Sequence, residues 1–189
     1  MYTLKNQILV TVLLVSCFGT APVFAADMAA GEQKAAVCMG CHGPKGKSSG
    51  AQWPNLAAQQ KLYLTNQLKA FKAGTRNNPM MQAMAANLSD DDINNLAAYY
   101  SSQPAVSAGG DVTLAKSGQP KASMCLGCHG SSAEGNGQFP RLAGQHPNYL
   151  VKQLSNFKEG ERKNGHMQAI AGTLSEEDMK ALAAYFGSL

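Results

Sequence analysis

Apolar residues recur at the helical spacing i, i+4, i+7 in two separate parts of the chain. The six positions are Leu64, Leu68, Phe71, Leu150, Leu154 and Phe157. Residues with this spacing lie on one face of an α-helix, so the pattern predicts helices over 60–73 and 146–159. Gly74 and Gly160 follow at the position where a helix often ends in a left-handed residue.

A second pair of helices is predicted from their starting residues. Ser89 and Ser175 are typical N-cap residues, and an aspartate stands three residues after each, at Asp92 and Asp178. This arrangement is a shortened capping box. The alternating pattern of β-strands is weak throughout the chain, so the sequence predicts an all-α protein.

These patterns belong to one internal repeat. The aligned segments are 29–43 with 115–130, 53–76 with 139–162, and 81–100 with 167–186. The offset is 87 residues at the cysteines and 86 from Trp53 onward, so the second copy lacks one residue in its glycine-rich loop. The repeat predicts two domains, 27–103 and 115–189, joined by a linker of Pro, Gly and small residues at 104–114.

The N-terminal segment has the pattern of a secretory signal peptide. Lys5 precedes an apolar run at 8–18, and small residues follow up to Ala25. The run is shorter than the roughly 20 apolar residues of a membrane span, so cleavage after Ala25 is predicted, with 1–25 as the signal peptide. Because "LVSC" resembles a lipobox, lipid anchoring at Cys17 is the alternative.

Charge and export limit the function of the mature chain. Without 1–25 the chain carries 15 Lys and Arg against 12 Asp and Glu, with no basic run, so nucleic acid is not an expected partner. Each domain of about 75 residues buries little apolar surface, so a disulfide, a metal or a large cofactor is expected to stabilise it. Export to an oxidising compartment makes the role of the paired cysteines the central question.

The sequence motif C-x-x-C-H occurs once in each domain. Its residues are Cys38, Cys41 and His42, then Cys125, Cys128 and His129. The motif is typical of c-type haem attachment, because two thiols one helical turn apart can form thioethers with the two vinyl groups of the porphyrin. The histidine that follows can then ligate the iron through Nε2. Two matches in register predict two covalently bound haems.

A disulfide or a zinc site made from the four cysteines is the competing interpretation. A thioredoxin-like C-x-x-C needs a βαβ context, which the sequence does not show. A zinc site would leave both histidines and the rest of the repeat without a role.

A sixth iron ligand is available at matching positions of the repeat. Met81 and Met167 follow the motif histidines by 39 and 38 residues, and a thioether opposite histidine favours Fe(II). Met80 aligns with His166 and Met84 aligns with isoleucine, so only Met81 has a methionine counterpart. A bis-histidine site at His166 is the alternative for the second domain.

The segments "CMGCHG…WPNLA…MQAMA" and "CLGCHG…FPRLA…MQAIA" resemble class I cytochrome c domains, and the exported tandem resembles dihaem cytochromes of the c4 type. The resemblance implies two small helical domains, each wrapped around one haem and related by pseudo-twofold symmetry. It also implies that the carbonyls of Pro54 and Pro140 accept the Nδ1–H of the haem-ligating histidines. His146, which aligns with Gln60, is expected on the surface.

The resemblance further implies a soluble or loosely membrane-associated periplasmic electron carrier, not an enzyme. Its expected partners are a quinol-oxidising cytochrome bc-type complex and a terminal oxidase or other reductase. Two alternatives stay open: an electron-accepting subunit of a larger dehydrogenase such as a flavocytochrome, and a dihaem peroxidase. Matching methionines disfavour the peroxidase, which needs a haem with a free sixth position.

Basic residues on the longer helices are candidate rims of docking surfaces, although solvated helix faces have the same pattern. They are Lys61, Lys69, Lys72, Arg76, Lys152, Lys158, Arg162 and Lys163.

Overall fold

The computed structural model describes residues 26–189, and the predicted signal peptide at 1–25, with Cys17, lies outside them. The α-helices are α1 Met28–Ala35, α2 Met39–His42, α3 Lys61–Lys72, α4 Pro79–Ala85, α5 Asp90–Ser101, α6 Val112–Gly118, α7 Ser123–His129, α8 Pro147–Lys158, α9 Gly165–Gly172 and α10 Glu176–Ser188. Short 3₁₀ turns lie at Ala36–Cys38, Pro44–Gly46 and Gln119–Lys121. Between residues 26 and 189 the only β pairing is a single bridge from Asn136 to Phe139. The all-α prediction is therefore confirmed.

The two helices predicted from apolar spacing are confirmed as α3 and α8. Both bury a leucine and a phenylalanine from the predicted face. Gly74 and Gly160 follow with φ angles of 73° and 76°, which is the left-handed conformation that the sequence predicted. A side chain at φ values of this kind costs about 1–2 kcal/mol per residue, which explains the choice of glycine.

The predicted capping boxes begin α5 and α10. The Ser89 hydroxyl accepts the Asp92 N–H at 3.0 Å, and the Asp92 carboxylate accepts the Ser89 N–H at 2.9 Å. Ser175 and Asp178 make the same pair of bonds. Each box satisfies backbone donors that the first helical turn leaves without intrahelical partners.

The first helix of each domain packs against the last: α1 on α5, and α6 on α10. Glycines lie where the helices meet. A Cβ on Gly31 would stand 2.3 Å from the Asn95 carbonyl oxygen, and one on Gly118 would stand 2.1 Å from that of Ala181. Any larger residue would push the helices apart, so these glycines allow the short distance between the two helix axes.

Each domain has its own apolar core. In the first domain the core comprises Ala35, Leu64, Leu96, Ala97, Tyr99 and Tyr100. In the second it comprises Ala122, Ala133, Ala143, Leu150, Leu174, Met179, Leu182, Ala183 and Phe186. Within residues 26–189, every helix is too short or too polar to span a bilayer.

The segment 104–114 connects the two domains and lies against the second one. The Ser107 hydroxyl donates to the Gly187 carbonyl at 3.0 Å, and the Ala108 N–H donates to the Gly144 carbonyl at 3.1 Å. Helix α6 begins at Val112, so the last three residues of the predicted linker are helical. The local reason is Asp111, whose carboxylate accepts the Leu114 N–H and caps the helix.

Candidate haem sites

In each domain the histidine of the C-x-x-C-H motif is the last residue of a helix, His42 in α2 and His129 in α7. Gly43 and Gly130 follow with φ angles of 72° and 88°. A Cβ on Gly43 would lie 1.9 Å from the Lys47 carbonyl oxygen, so only glycine allows the chain to turn there. The turn leaves the histidine ring inside the domain, with about 6% of its surface exposed.

The His42 ring is held by one backbone carbonyl. Its Nδ1 lies 2.9 Å from the carbonyl oxygen of Pro54. A carbonyl only accepts, so Nδ1 carries the proton and the lone pair of the neutral ring is on Nε2. Burial lowers the pKa of His42, against a smaller opposing effect of this hydrogen bond. A buried, neutral imidazole with a free Nε2 is the form that binds iron.

The second domain repeats this geometry. The Nδ1 of His129 lies 2.8 Å from the Pro140 carbonyl oxygen, and burial again lowers the histidine pKa. The ring of Phe139, the residue before that proline, packs edge-on to His129 at 6.4 Å between ring centroids. Both prolines therefore contact the histidines in the way the family resemblance implies.

The methionines lie at the start of short helices that the sequence did not predict, α4 and α9. Asn78 caps α4 by accepting the Met81 N–H at 3.0 Å, and Asn164 caps α9 by accepting the Met167 N–H at 3.1 Å. Both methionines are half-buried, at the third position of their helices. The cap thus fixes the backbone of the residue whose sulfur would bind iron.

The rival ligands face solvent. Met80 is 51% exposed and Met84 is 43% exposed, and His166 is exposed as well. These exposures separate the rivals from the half-buried Met81 and Met167, as the alignment of the two repeats did.

The donor atoms present fit a c-type haem in each domain. The four cysteines of the motifs, Cys38, Cys41, Cys125 and Cys128, are not joined in disulfides. Burial raises the pKa of the Cys38 thiol and of the Cys125 thiol. The buried hydroxyl of Tyr100 has no hydrogen-bond partner among the described residues. Between residues 26 and 189, no three His, Cys, Asp or Glu side chains come together as a metal cluster.

The prediction that His146 lies on the surface is wrong. It is only 9% exposed, and its Nε2 donates to the Ser48 carbonyl at 3.1 Å, across the boundary between the domains. Among residues 26–189, five buried polar residues lie at this boundary, His146 included. They are Ser48, Asn55, Gln59, Gln145 and His146.

Arg76 and Arg162 do not belong to an exposed docking rim either. Arg162 donates to the Tyr63 hydroxyl and the Gln67 Oε1 of the other domain, both at 2.9 Å. Arg76 makes the mirrored pair of bonds, to Tyr149 at 3.0 Å and Gln153 at 2.8 Å. Sequence reasoning missed this interface. The available signal was that Tyr, Gln and Arg are identical at these positions in both repeats, although no haem ligand requires them.

Comparisons with known proteins point to one family. A family model described as cytochrome c matches residues 28–103 and 117–189. Cytochrome c4 of Azotobacter vinelandii is 38% identical over 97% of this chain and 99% of its own length. The crystal structure of reduced recombinant cytochrome c4 from Pseudomonas stutzeri superimposes with a TM-score of 0.81 at 39% identity, covering 87% of this chain and all of that one. A thiosulfate dehydrogenase electron acceptor of Stutzerimonas stutzeri is 34% identical over 82% of this chain and 80% of its own length.

Two tandem cytochrome c domains, each with one haem-attachment motif, define a dihaem c-type cytochrome. The chain is an electron-transfer protein rather than an enzyme, and its cofactors are two covalently bound c-type haems. It belongs to the cytochrome c4 family, with which it shares nearly its full length.

Proposed function

We propose that this chain carries electrons in the periplasm within a respiratory chain. It would accept them from a quinol-oxidising cytochrome bc-type complex and pass them to a terminal oxidase or another reductase. The observation that carries the proposal is the paired geometry of the two sites. In each domain a proline carbonyl fixes a buried histidine, and an asparagine cap fixes a half-buried methionine.

The residue roles follow from this geometry. The thiols that would attach the haems are Cys38, Cys41, Cys125 and Cys128. The iron ligands would be His42 with Met81, and His129 with Met167. When bound, each haem supplies one Fe(III)/Fe(II) couple, and the methionine sulfur favours its reduced form. Two protein ligands on each iron leave no position for a substrate, which suits a carrier.

The proposed export to the periplasm is inferred from the sequence of the N-terminal segment. A signal peptide at 1–25, cleaved after Ala25, would deliver the chain to the periplasm. Lipid attachment at Cys17 is the alternative, and it would hold the protein at the membrane surface. Loose peripheral association with the membrane agrees with either route.

Docking of redox partners would use the lysines that remain exposed on the long helices and beside them. They are Lys61, Lys69, Lys72, Lys152, Lys158 and Lys163. Lys69 already forms an exposed ion pair with Asp90 at 3.6 Å, so its charge is partly compensated. Exposed charges of this kind influence association rates more than affinity, and salt weakens them.

Absorption spectroscopy with a redox titration tests the carrier function. We expect two low-spin haems, each with a far-red methionine-to-iron band in the Fe(III) state. Met81→Ala and Met167→Ala should each remove about half of that band, and Met80→Ala, the matched control, should leave it intact. Loss of the band in Met80→Ala but not in Met81→Ala would reverse the ligand assignment. A high-spin component with peroxide turnover would instead favour a peroxidase.

A second candidate function is electron acceptance from a dedicated dehydrogenase. The relative named as a thiosulfate dehydrogenase electron acceptor supports it. The test is rapid mixing of the oxidised protein with a thiosulfate dehydrogenase and thiosulfate. Reduction at the turnover rate of that enzyme, faster than reduction by a bc-type complex, would favour this role. The opposite order would favour the respiratory carrier.

A further inference from the structure

One peptide bond in each domain contacts the motif histidine on one side and the other domain on the opposite side. In the first domain this is the peptide between Pro54 and Asn55. Its carbonyl accepts the Nδ1–H of His42 at 2.9 Å, and its N–H donates to Oε1 of Gln145 at 2.7 Å. A side chain of the second domain is thus connected to the histidine of the first through two hydrogen bonds and one amide.

The second domain has the same connection in the reverse direction. The peptide between Pro140 and Arg141 accepts the Nδ1–H of His129 at 2.8 Å and donates to Oε1 of Gln59 at 2.7 Å. Gln59 and Gln145 occupy equivalent positions of the repeat. The arrangement therefore follows from the symmetry of the two domains and occurs twice.

Both glutamine amides are fixed in orientation. The Nε2 of Gln145 donates to the Asn55 carbonyl at 2.9 Å, and that of Gln59 donates to the Arg141 carbonyl at 3.0 Å. Each Oε1 also accepts the N–H of its following residue at 3.0 Å. The side chains are 5% and 6% exposed, so water does not compete with these bonds. Because a backbone N–H needs an acceptor, the amide oxygen must face the peptide.

The two hydrogen bonds of a peptide reinforce each other. When the N–H of an amide donates, its carbonyl oxygen becomes more negative and accepts more strongly, by an estimated 10–30% per bond. A stronger acceptor at Nδ1–H makes a metal-bound imidazole a more basic ligand. A more basic ligand stabilises Fe(III) over Fe(II), which lowers the reduction potential.

We propose that Gln145 lowers the reduction potential of the haem in the first domain, and Gln59 that of the haem in the second, by polarising these two peptides. The inference rests on the proposed assignment of His42 and His129 as iron ligands. Each glutamine is a positioning residue that acts through the peptide and does not touch the haem. Domain docking then contributes directly to the redox properties of both centres.

The test compares Gln145→Met with the wild-type holoprotein. Methionine keeps the length of the side chain but removes the amide. We expect the Fe(II)/Fe(III) ratio of the first-domain haem at a fixed potential to rise about threefold, an upward shift of about 28 mV for one electron. The second haem should not shift. Gln59→Met should give the mirrored result, and it serves as an independent test if Gln145→Met does not fold.

A second readout reports on the hydrogen bond itself. In the reduced protein, the NMR resonance of His42 Nδ1–H should move upfield in Gln145→Met, while that of His129 stays in place. Gln60→Ala is the matched control. It removes a bond of 2.9 Å from Gln60 Nε2 to the Glu134 carbonyl across the same interface, without touching either peptide, so neither potential should change.

Three outcomes would overturn the proposal: no shift in either glutamine variant, equal shifts of both haems in one variant, or the same shift in Gln60→Ala. The last two would mean that loosening of the interface, and not the peptide, changes the potentials. Failure of the proposed function looks different. In that case the wild-type protein itself would lack two low-spin, one-electron transitions.

Discussion

At the residue scale, Ala58 and Gly144 show how equivalent positions of the repeat can differ in strain. Both have left-handed backbones, with φ angles of 55° and 73°. Their N–H groups donate to equivalent carbonyls, those of Tyr100 at 3.0 Å and Phe186 at 2.7 Å. Glycine adopts this conformation without cost, whereas alanine loses about 1 kcal/mol or more. At this position the first domain therefore carries strain that the second avoids.

Ala58→Gly should raise the free energy of unfolding of the first domain by up to about 1 kcal/mol, because it removes that strain, while the greater freedom of glycine in the unfolded chain offsets part of the gain. Guanidinium denaturation of the holoprotein, followed by circular dichroism, measures it. The contrasting variant is Gly144→Ala, whose Cβ would lie 1.9 Å from the Val106 carbonyl oxygen. It should be clearly destabilising. Equal stability of Ala58→Gly and wild type would show that the loop relaxes around Ala58.

The haem motif and the matching methionines could be predicted from the sequence because their spacing is local or is repeated in register. Gln59 and Gln145 could not be assigned a role in this way. Their partners lie 82 and 90 residues away, and the bonds exist only after the domains dock. His146 was misplaced for the same reason, since its counterpart in the first domain is a glutamine and its partner belongs to the other domain.

At the element scale, the strongly periodic helices α3 and α8 and the capped helices α5 and α10 were predictable, and the short methionine-bearing helices α4 and α9 were not. Helices α4 and α9 contain seven and eight residues, too few for a clear apolar period. They depend on Asn78 and Asn164, whose side chains satisfy backbone donors of the first turn. The same residues hold the methionines in place.

Asn164→Ala should destabilise the methionine segment of the second domain by about 1 kcal/mol, since the cap of α9 is lost. The far-red methionine band of the holoprotein should then decrease at a lower guanidinium concentration, ahead of the loss of helix. Asp111→Ala is the control, because it removes the cap of α6, away from the methionine. If both variants lose the band together with the helix signal, the cap does not act locally.

At the scale of the whole molecule, two positively charged side chains, Arg76 and Arg162, donate hydrogen bonds to neutral tyrosine and glutamine side chains at the interface between the domains. Oε1 of Gln67 accepts from Arg76 at 2.7 Å and from Arg162 at 2.9 Å. Each guanidinium also lies 4.5 Å above a phenylalanine ring of its own domain, Phe71 or Phe157. Each ion pair found within residues 26–189 joins two residues of the same domain, and none crosses the interface. Docking therefore depends on hydrogen bonds and packing.

Arg162→Met should weaken docking, because it leaves the Tyr63 hydroxyl without its donor and Gln67 with one donor fewer, at a cost of about 1–3 kcal/mol. We expect a larger radius of gyration by small-angle scattering and a thermal transition that separates into two. Lys152→Met, on the exposed side of α8, is the control and should change neither. An unchanged radius for Arg162→Met would mean that the remaining contacts, among them those of Arg76 and of the two glutamines, are enough to hold the domains together.

The reciprocity of these contacts has a consequence for the connecting segment 104–114. Each domain carries both halves of the arginine and glutamine contacts, so this part of its surface is complementary to a copy of itself, as in an isologous dimer. The segment therefore does not need to specify how the domains meet. Its contribution is effective concentration: it turns a bimolecular association into an intramolecular one, so the pair of redox centres stays together at any dilution.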